Sequence, residues 1–237
     1  MALPTLVTPE FTIKLPSTGE EILFRPFLVK EEKILFIALE SNDEKDTLRA
    51  VKDILTSCVI TNIDVNTLTS FDVEYLFLNI RGKSVSEEII LHVPHSKESE
   101  CDVKRKITLN INDIKIEGEI QRKPIIMLND TMGIKMRYIM LKDMLLPAAS
   151  EDDNKLDIVL NSVINCVEYV FDNDEIYDDF TKEEMKEFIG NLSTKQFEEV
   201  SDFFNNTPIL KKDISFTCKK CGVEENITIE GLNSFFT

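Results

Sequence analysis

The stretch DISFTCKKCGVEENITIEGLNSFF, residues 213–236 of this 237-residue chain, places Cys218 and Cys221 two residues apart and follows them with Gly222. A C-x2-C turn closed by glycine presents two thiolates from one tight knuckle, which is half of a tetrahedral zinc site. The other half must come from elsewhere in the chain. The two histidines of the sequence, His92 and His95, stand in LHVPHSKESECDVKRKITLNI with the same two-residue gap. Each pair follows one strand-like segment, EEIIL or DISF, and precedes another, KITLNI or NITIEGL. The two stretches therefore read as a weak internal repeat of a knuckle-bearing hairpin, and two such hairpins face to face form a zinc ribbon. Cys218, Cys221, His92 and His95 would complete a Cys2His2 sphere around a structural zinc, with Cys101 in reserve for one histidine. The competing reading is two thiols on an ordinary hairpin turn and two exposed histidines around Val93-Pro94. A redox role for the C-x2-C fits poorly, since no βαβ pattern surrounds it.

Other chemistry has little material. Neither G-x-x-x-x-G-K-[ST] nor G-x-G-x-x-G occurs, so nucleotide cradling is not indicated. The run DNDEIYDDFTKE, 172–183, has the acidity of an EF-hand loop. Ile176 and Tyr177, however, occupy positions where a ligand and a glycine are needed, so it reads as a solvated acidic loop. Two histidines, both able to be engaged in one turn, leave Ser-His-Asp or Cys-His catalysis without parts. The expectation is a protein that is not an enzyme. Cys58 and Cys166 lie among apolar neighbours and read as buried thiols.

The elements that must position these residues follow from periodicity. FTIKLPSTGEEILFRPF alternates apolar and polar residues around a Pro-Ser-Thr-Gly turn and predicts a β-hairpin. KEEKILFIALES and NDEKDTLRAVKDILTSCVI carry apolar residues at spacings of three and four, with Asn42 or Asp43 as the N-cap between them. A third helix is predicted in TSFDVEYLFLNIRGKS, capped by Thr69 or Ser70 and ended at Gly82. SEEIILHVP, KRKITLNINDIKIEGEI and KPIIMLND then read as a small antiparallel sheet. After the acidic PAASEDDNK, LDIVLNSVINCVEYVF, TKEEMKEFIGNL and TKQFEEVSDFFNN predict a helical bundle, the last two helices opening on threonine caps. The final segment reads as strand, knuckle, strand and a short helix. The expected fold is α+β: an N-terminal hairpin with helices (1–84), a strand-rich middle module (85–147), a helical module (148–210) and a C-terminal Cys-x2-Cys hairpin packing on the middle module (211–237).

Composition bounds the partners. With 27 basic against 43 acidic residues the formal net charge is −16, which repels a phosphate backbone, so no nucleic acid is expected to bind. Hydrophobic residues make up 43% and charged residues 30%, with seven Gly and eight Pro, as in an ordinary folded chain. No apolar run approaches the ~20 residues of a membrane span. The opening MALPTLVTPEF has no basic segment followed by an apolar one, and five irregularly spaced cysteines are no disulfide framework. These features predict a chain made and kept in a reducing cytosol, with proteins as partners.

Three segments carry a resemblance: LPSTGEEILFRPFLVKEEKILFIALES, SFDVEYLFLNIRGKSVSE and CKKCGVEENITIEGLNSFF. They resemble the baseplate hub subunit family of T-even-type contractile-tailed bacteriophages. The most specific parts are Arg25 through Lys33 and Asp72-Val73-Glu74-Tyr75-Leu76 with Arg81-Gly82-Lys83-Ser84. The resemblance implies a structural or assembly role in the tail baseplate, in the virion and, during assembly, in the host cytoplasm. Its partners would be other baseplate hub and tail proteins, and it brings no catalytic residues. Where it implies a cysteine-rich turn, HVPHSKESEC has histidines instead. The alternative from composition and spacing is a cytosolic zinc-ribbon adaptor of another assembly. A zinc hydrolase would need an open metal position and a nearby base. In FRPFLVKEEK, the apolar Phe27-Leu28-Val29 is either core with a charged rim or an exposed docking patch, and Arg81 and Lys83 are the contact groups of the third helix.

Overall fold

The computed structural model describes residues 6–41, 43–93, 105–122, 124–146, 155–218, 220–222 and 224–231. His95, Cys101 and the expected terminal helix lie outside them, as does the side chain of His92. The chain groups into two compact units, residues 1–117 with 208–237, and residues 118–207.

The first unit opens with the expected hairpin, β1 (Phe11–Lys14) and β2 (Glu21–Phe24), in register from Phe11 opposite Phe24 to Lys14 opposite Glu21. Gly19 takes φ +77° in its turn, where L side chains are strained. Helix α1 (Val29–Glu40) follows, then α2 (Glu44–Cys58), whose N-cap is Asp43: its carboxylate accepts from the Lys45 N–H at 2.7 Å. Helix α3 (Ser70–Ser84) is capped by Thr69. Gly82 does not end it. A Cβ there would come within 3.1 Å of the Ile111 side chain, so the glycine serves close packing inside the helix. Phe24, Ile54, Leu55, Phe71, Leu76, Phe77 and Ile80 are buried in this core.

The expected single central sheet is instead divided among three. Strands β3 (Glu88–Val93) and β4 (Arg105–Asn110) form one hairpin. Strand β5 (Lys115–Glu117) joins the edge of the C-terminal hairpin, β10 (Ile209–Thr217) with β11 (Glu224–Glu230), in the order β11-β10-β5. Ile209 lies opposite Glu117, and Lys211 bridges Glu117 at 3.3 Å. The chain thus leaves the first unit and re-enters it on adjacent strands.

In the second unit β6 (Ile125–Met127), β7 (Met132–Met136), β8 (Val167–Asp172) and β9 (Glu175–Tyr177) form a four-stranded antiparallel sheet in that order. It is joined by α4 (Leu141–Met144), α5 (Lys155–Asn165), α6 (Lys182–Gly190) and α7 (Thr194–Asn205). This corrects the helical bundle. LDIVLNSVINCVEYVF is helix only to Asn165, and from Val167 it pairs with β7 as a strand, because Val, Tyr and Phe fit a pleated surface. Thr181 caps α6 as expected, but α7 is capped by Ser193, whose hydroxyl meets the Gln196 N–H. The acidic run 172–183, expected as a solvated loop, instead holds a hairpin turn, strand β9 and the start of α6. Asn173, at φ 52°, turns the chain between Asp172 and its partner Glu175.

The two units share an internal device. In the first, the Arg25 N–H donates to the Cys58 carbonyl (2.9 Å) and its guanidinium to Glu31 (3.0 Å), while Glu31 also accepts from the Leu28 N–H ahead of α1 (2.8 Å). In the second, the Arg137 N–H donates to the Cys166 carbonyl (2.8 Å) and its guanidinium to Asp143 (2.5 and 3.0 Å), which accepts from the Met140 N–H ahead of α4 (2.9 Å). Beside each arginine a strand pair closes, Phe24 with Val59 and Met136 with Val167. Hairpin, arginine, helix, helix and cysteine recur in one order. Burial pushes the Cys58 thiol up to about 11 and Cys166 to about 12, so both are inert packing groups.

Candidate functional site

Two surfaces collect the residues singled out by sequence. The first is α1. Pro26 and Phe27 are buried and the Phe27 N–H donates to the Ser84 hydroxyl at 2.8 Å, so this part of FRPFLVKEEK is core. Beyond it the helix turns apolar side chains outward: Val29 is 80% exposed, and Phe36 and Ile37 are each 59% exposed. Leu28 and Ile34 are exposed as well. Only Glu31, Leu35 and Ala38 of α1 are buried. A helix that is apolar on its outer as well as its inner face has more hydrophobic surface than its own unit covers.

Polar groups fix this helix in place. Glu31 is buried against Arg25, with Lys30 at 3.4 Å. Burial pushes its carboxyl up, but hydrogen bonds from Arg25 and the Leu28 N–H and the charges of Arg25 and Lys30 outweigh this and hold it below the usual range. At the start of α3 the buried Asp72 accepts from the Thr69 hydroxyl (2.7 Å) and from the Ser17 N–H (3.0 Å) and hydroxyl. Residues of the most specific segments of the resemblance thus serve internal brackets, Arg25 with Glu31 and Asp72 with Ser17. They are not exposed recognition residues. Lys83 is engaged by Glu87 at 2.5 Å and lies over the Phe11 ring at 5.4 Å. Burial lowers the pKa of Arg81, whose Nη1 has no hydrogen-bond partner among the described residues.

The second surface is the β10–β11 turn. Cys218 is buried and Cys221 exposed. The Cys218 Sγ accepts the Lys220 N–H at 3.4 Å, the Gly222 N–H donates to the Cys218 carbonyl at 2.8 Å, and Gly222 takes φ +73°. Cys218 and Cys221 thus stand at one turn, and two thiols are half of a zinc donor set. His92 stands on β3 opposite Lys106, in a sheet separate from β10–β11. Among the described residues no three His, Cys, Asp or Glu side chains come together to hold a metal.

No helix among the described residues is long and apolar enough to cross a membrane. No curated protein and no solved structure matches the chain. One family does match, over residues 8–237, and its description is T4 bacteriophage base plate protein. On that match, which spans nearly the whole sequence, the chain belongs to the T4 bacteriophage base plate protein family.

Proposed function

We propose that the chain is a structural or assembly component of the baseplate hub of a contractile phage tail, acting by protein–protein association and turning over no substrate. The observation that carries this reading is the outward apolar face of α1, where Phe36 and Ile37 stand beside Val29. Exposed aromatic and branched aliphatic side chains on a rigid helix are the anchors of protein interfaces. The partners are other hub and tail proteins, met in the host cytoplasm as the tail assembles. The test is a phage lacking the gene, complemented with wild-type protein or with Phe36→Lys/Ile37→Lys. Deletion should stop baseplate assembly, and the double variant should fold yet restore few particles. Normal infectious tails without the gene would overturn the reading.

A structural zinc is supported by the two thiols, Cys218 and Cys221, at the β10–β11 turn. His92 and His95, or Cys101 in place of one of them, would supply the other ligands. The ion would act structurally, tying the C-terminal strands to the β3–β4 hairpin. A zinc-ribbon adaptor and a hub component share this feature.

A further inference from the structure

The acidic run 172–183, which carries no metal-binding geometry, borders a cavity of about 410 Å³ inside the second unit. Its floor is one face of the four-stranded sheet. Met132 lies opposite Asp172 and Val170 opposite Tyr177, so these four side chains point the same way. The facing wall is α6, with Met185 and Phe188, and the loop before it, with Phe180. The interior is therefore apolar. Its charged groups are Asp172, Asp179 and Glu184, all carboxylates, with no Lys or Arg among the lining residues.

A second feature adjoins it. Strand β9 is the edge of the sheet, and all three of its residues are exposed, Ile176 at 61%. An edge strand leaves backbone groups that an extended segment from another chain can pair with. The Tyr177 hydroxyl is held by Glu175 at 2.7 Å, which keeps its ring at the cavity mouth.

We propose that this cavity and the β9 edge bind an extended segment of a partner protein in which a large apolar residue is flanked by Lys or Arg. The apolar side chain enters between the sheet and α6. The flanking cations face Asp172 and Asp179, and Glu184 adds to the negative field while its carboxylate accepts from Thr181. Charge complementarity chooses the occupant: three carboxylates and no cation at the mouth attract a basic segment and repel an acidic one. The inference deepens the associative role proposed above. The choice of a tail protein as partner rests on that role, whereas the chemistry of the segment does not.

The probe is the synthetic peptide acetyl-Lys-Ile-Lys-Phe-Lys-amide, titrated into the full chain and followed by amide NMR shifts. Its controls are the same peptide with Glu for Lys, and one with Ser for Ile and Phe. Shifts should concentrate at Val170, Asp172, Ile176, Tyr177, Asp179 and Met185, and both controls should bind at least about tenfold more weakly. Asp179→Lys, on an exposed loop, should weaken the probe by about tenfold or more, and Tyr177→Lys at the cavity mouth should do likewise. Shifts centred on α1, equal binding of the serine control, or indifference to both variants would overturn the proposal. Saturable shifts of the same residues with calcium chloride alone would also overturn it, reassigning the carboxylates to an ion. Since purified chain and peptide suffice, a negative result here is distinct from normal tails in the deletion phage.

Discussion

The carboxylate of Asp72, buried at the start of α3, receives both the backbone N–H and the hydroxyl of Ser17. It thereby ties the β1–β2 turn to a helix 55 residues later. Asp72→Ala would strand these donors and the Thr69 hydroxyl in a partly buried place. The expected loss is about 3 kcal/mol in urea unfolding followed by circular dichroism, with Asp72→Asn costing less because one acceptor oxygen remains. Equal stability of Asp72→Ala and wild type would show that water replaces the bracket.

The paired arginine brackets predict acid sensitivity. Burial pushes the Asp143 carboxyl up, and hydrogen bonds from Arg137 and the Met140 N–H with the charges of Arg137 and Lys142 outweigh it, as for Glu31. Both folded carboxyls sit below their unfolded values of about 4. A depressed folded pKa gives stability that is full above the unfolded value and lost as pH falls through the folded one. Stability should be flat near neutrality and decline below about pH 4. Glu31→Gln or Asp143→Asn should lower neutral stability by about 3 kcal/mol and flatten the acid limb. An unchanged acid limb in both variants would refute the assignment.

Gly133 on β7 lies under the Phe171 ring. A Cβ would sit 2.5 Å from the ring edge and 2.9 Å from the Ile126 carbonyl oxygen. The ring end could swing away, but the carbonyl belongs to the paired strand. Gly133→Ala should cost about 2 kcal/mol by overpacking, seen as faster amide exchange along β6 to β8. Unaltered exchange would mean that the strands separate without penalty.

The zinc proposal is checked by elemental analysis and limited proteolysis. Wild-type protein should carry one equivalent of zinc, and Cys218→Ser should lose it and open the segment after Lys211 to protease. Structural zinc contributes roughly 10 kcal/mol of apparent binding free energy coupled to folding, so the effect should be large. His92→Ala should reproduce it if the histidines are the second pair, and Cys101→Ser if that thiol replaces one. Metal-free wild type with a protected tail would leave two thiols on a hairpin turn.

The sequence by itself determined the local elements and the family. Spacings of three and four with cap candidates at Asn42 or Asp43, at Thr69 or Ser70 and at Thr181 placed α2, α3 and α6, and the Pro-Ser-Thr-Gly turn placed β1–β2. These signals act over a few residues, so they survive without the rest of the chain. Tertiary structure alone decided what depends on distant partners. LDIVLNSVINCVEYVF satisfies both helical and strand periods, and only pairing of Val167–Asp172 with β7 ends α5 at Asn165. Gly82 reads as a helix stop until Ile111 is packed against it. The Arg25–Glu31 and Arg137–Asp143 brackets were hidden because FRPFLVKEE and MRYIMLKDM share few residues. What recurs is a hydrogen-bond pattern that closes through the carbonyls of Cys58 and Cys166, each about 30 residues on in the chain. Likewise the acidic run 172–183 has the composition of a solvated loop. Its role as the rim of an apolar cavity exists only once β8, β9 and α6 are folded together, because a cavity belongs to their packing and to no one segment.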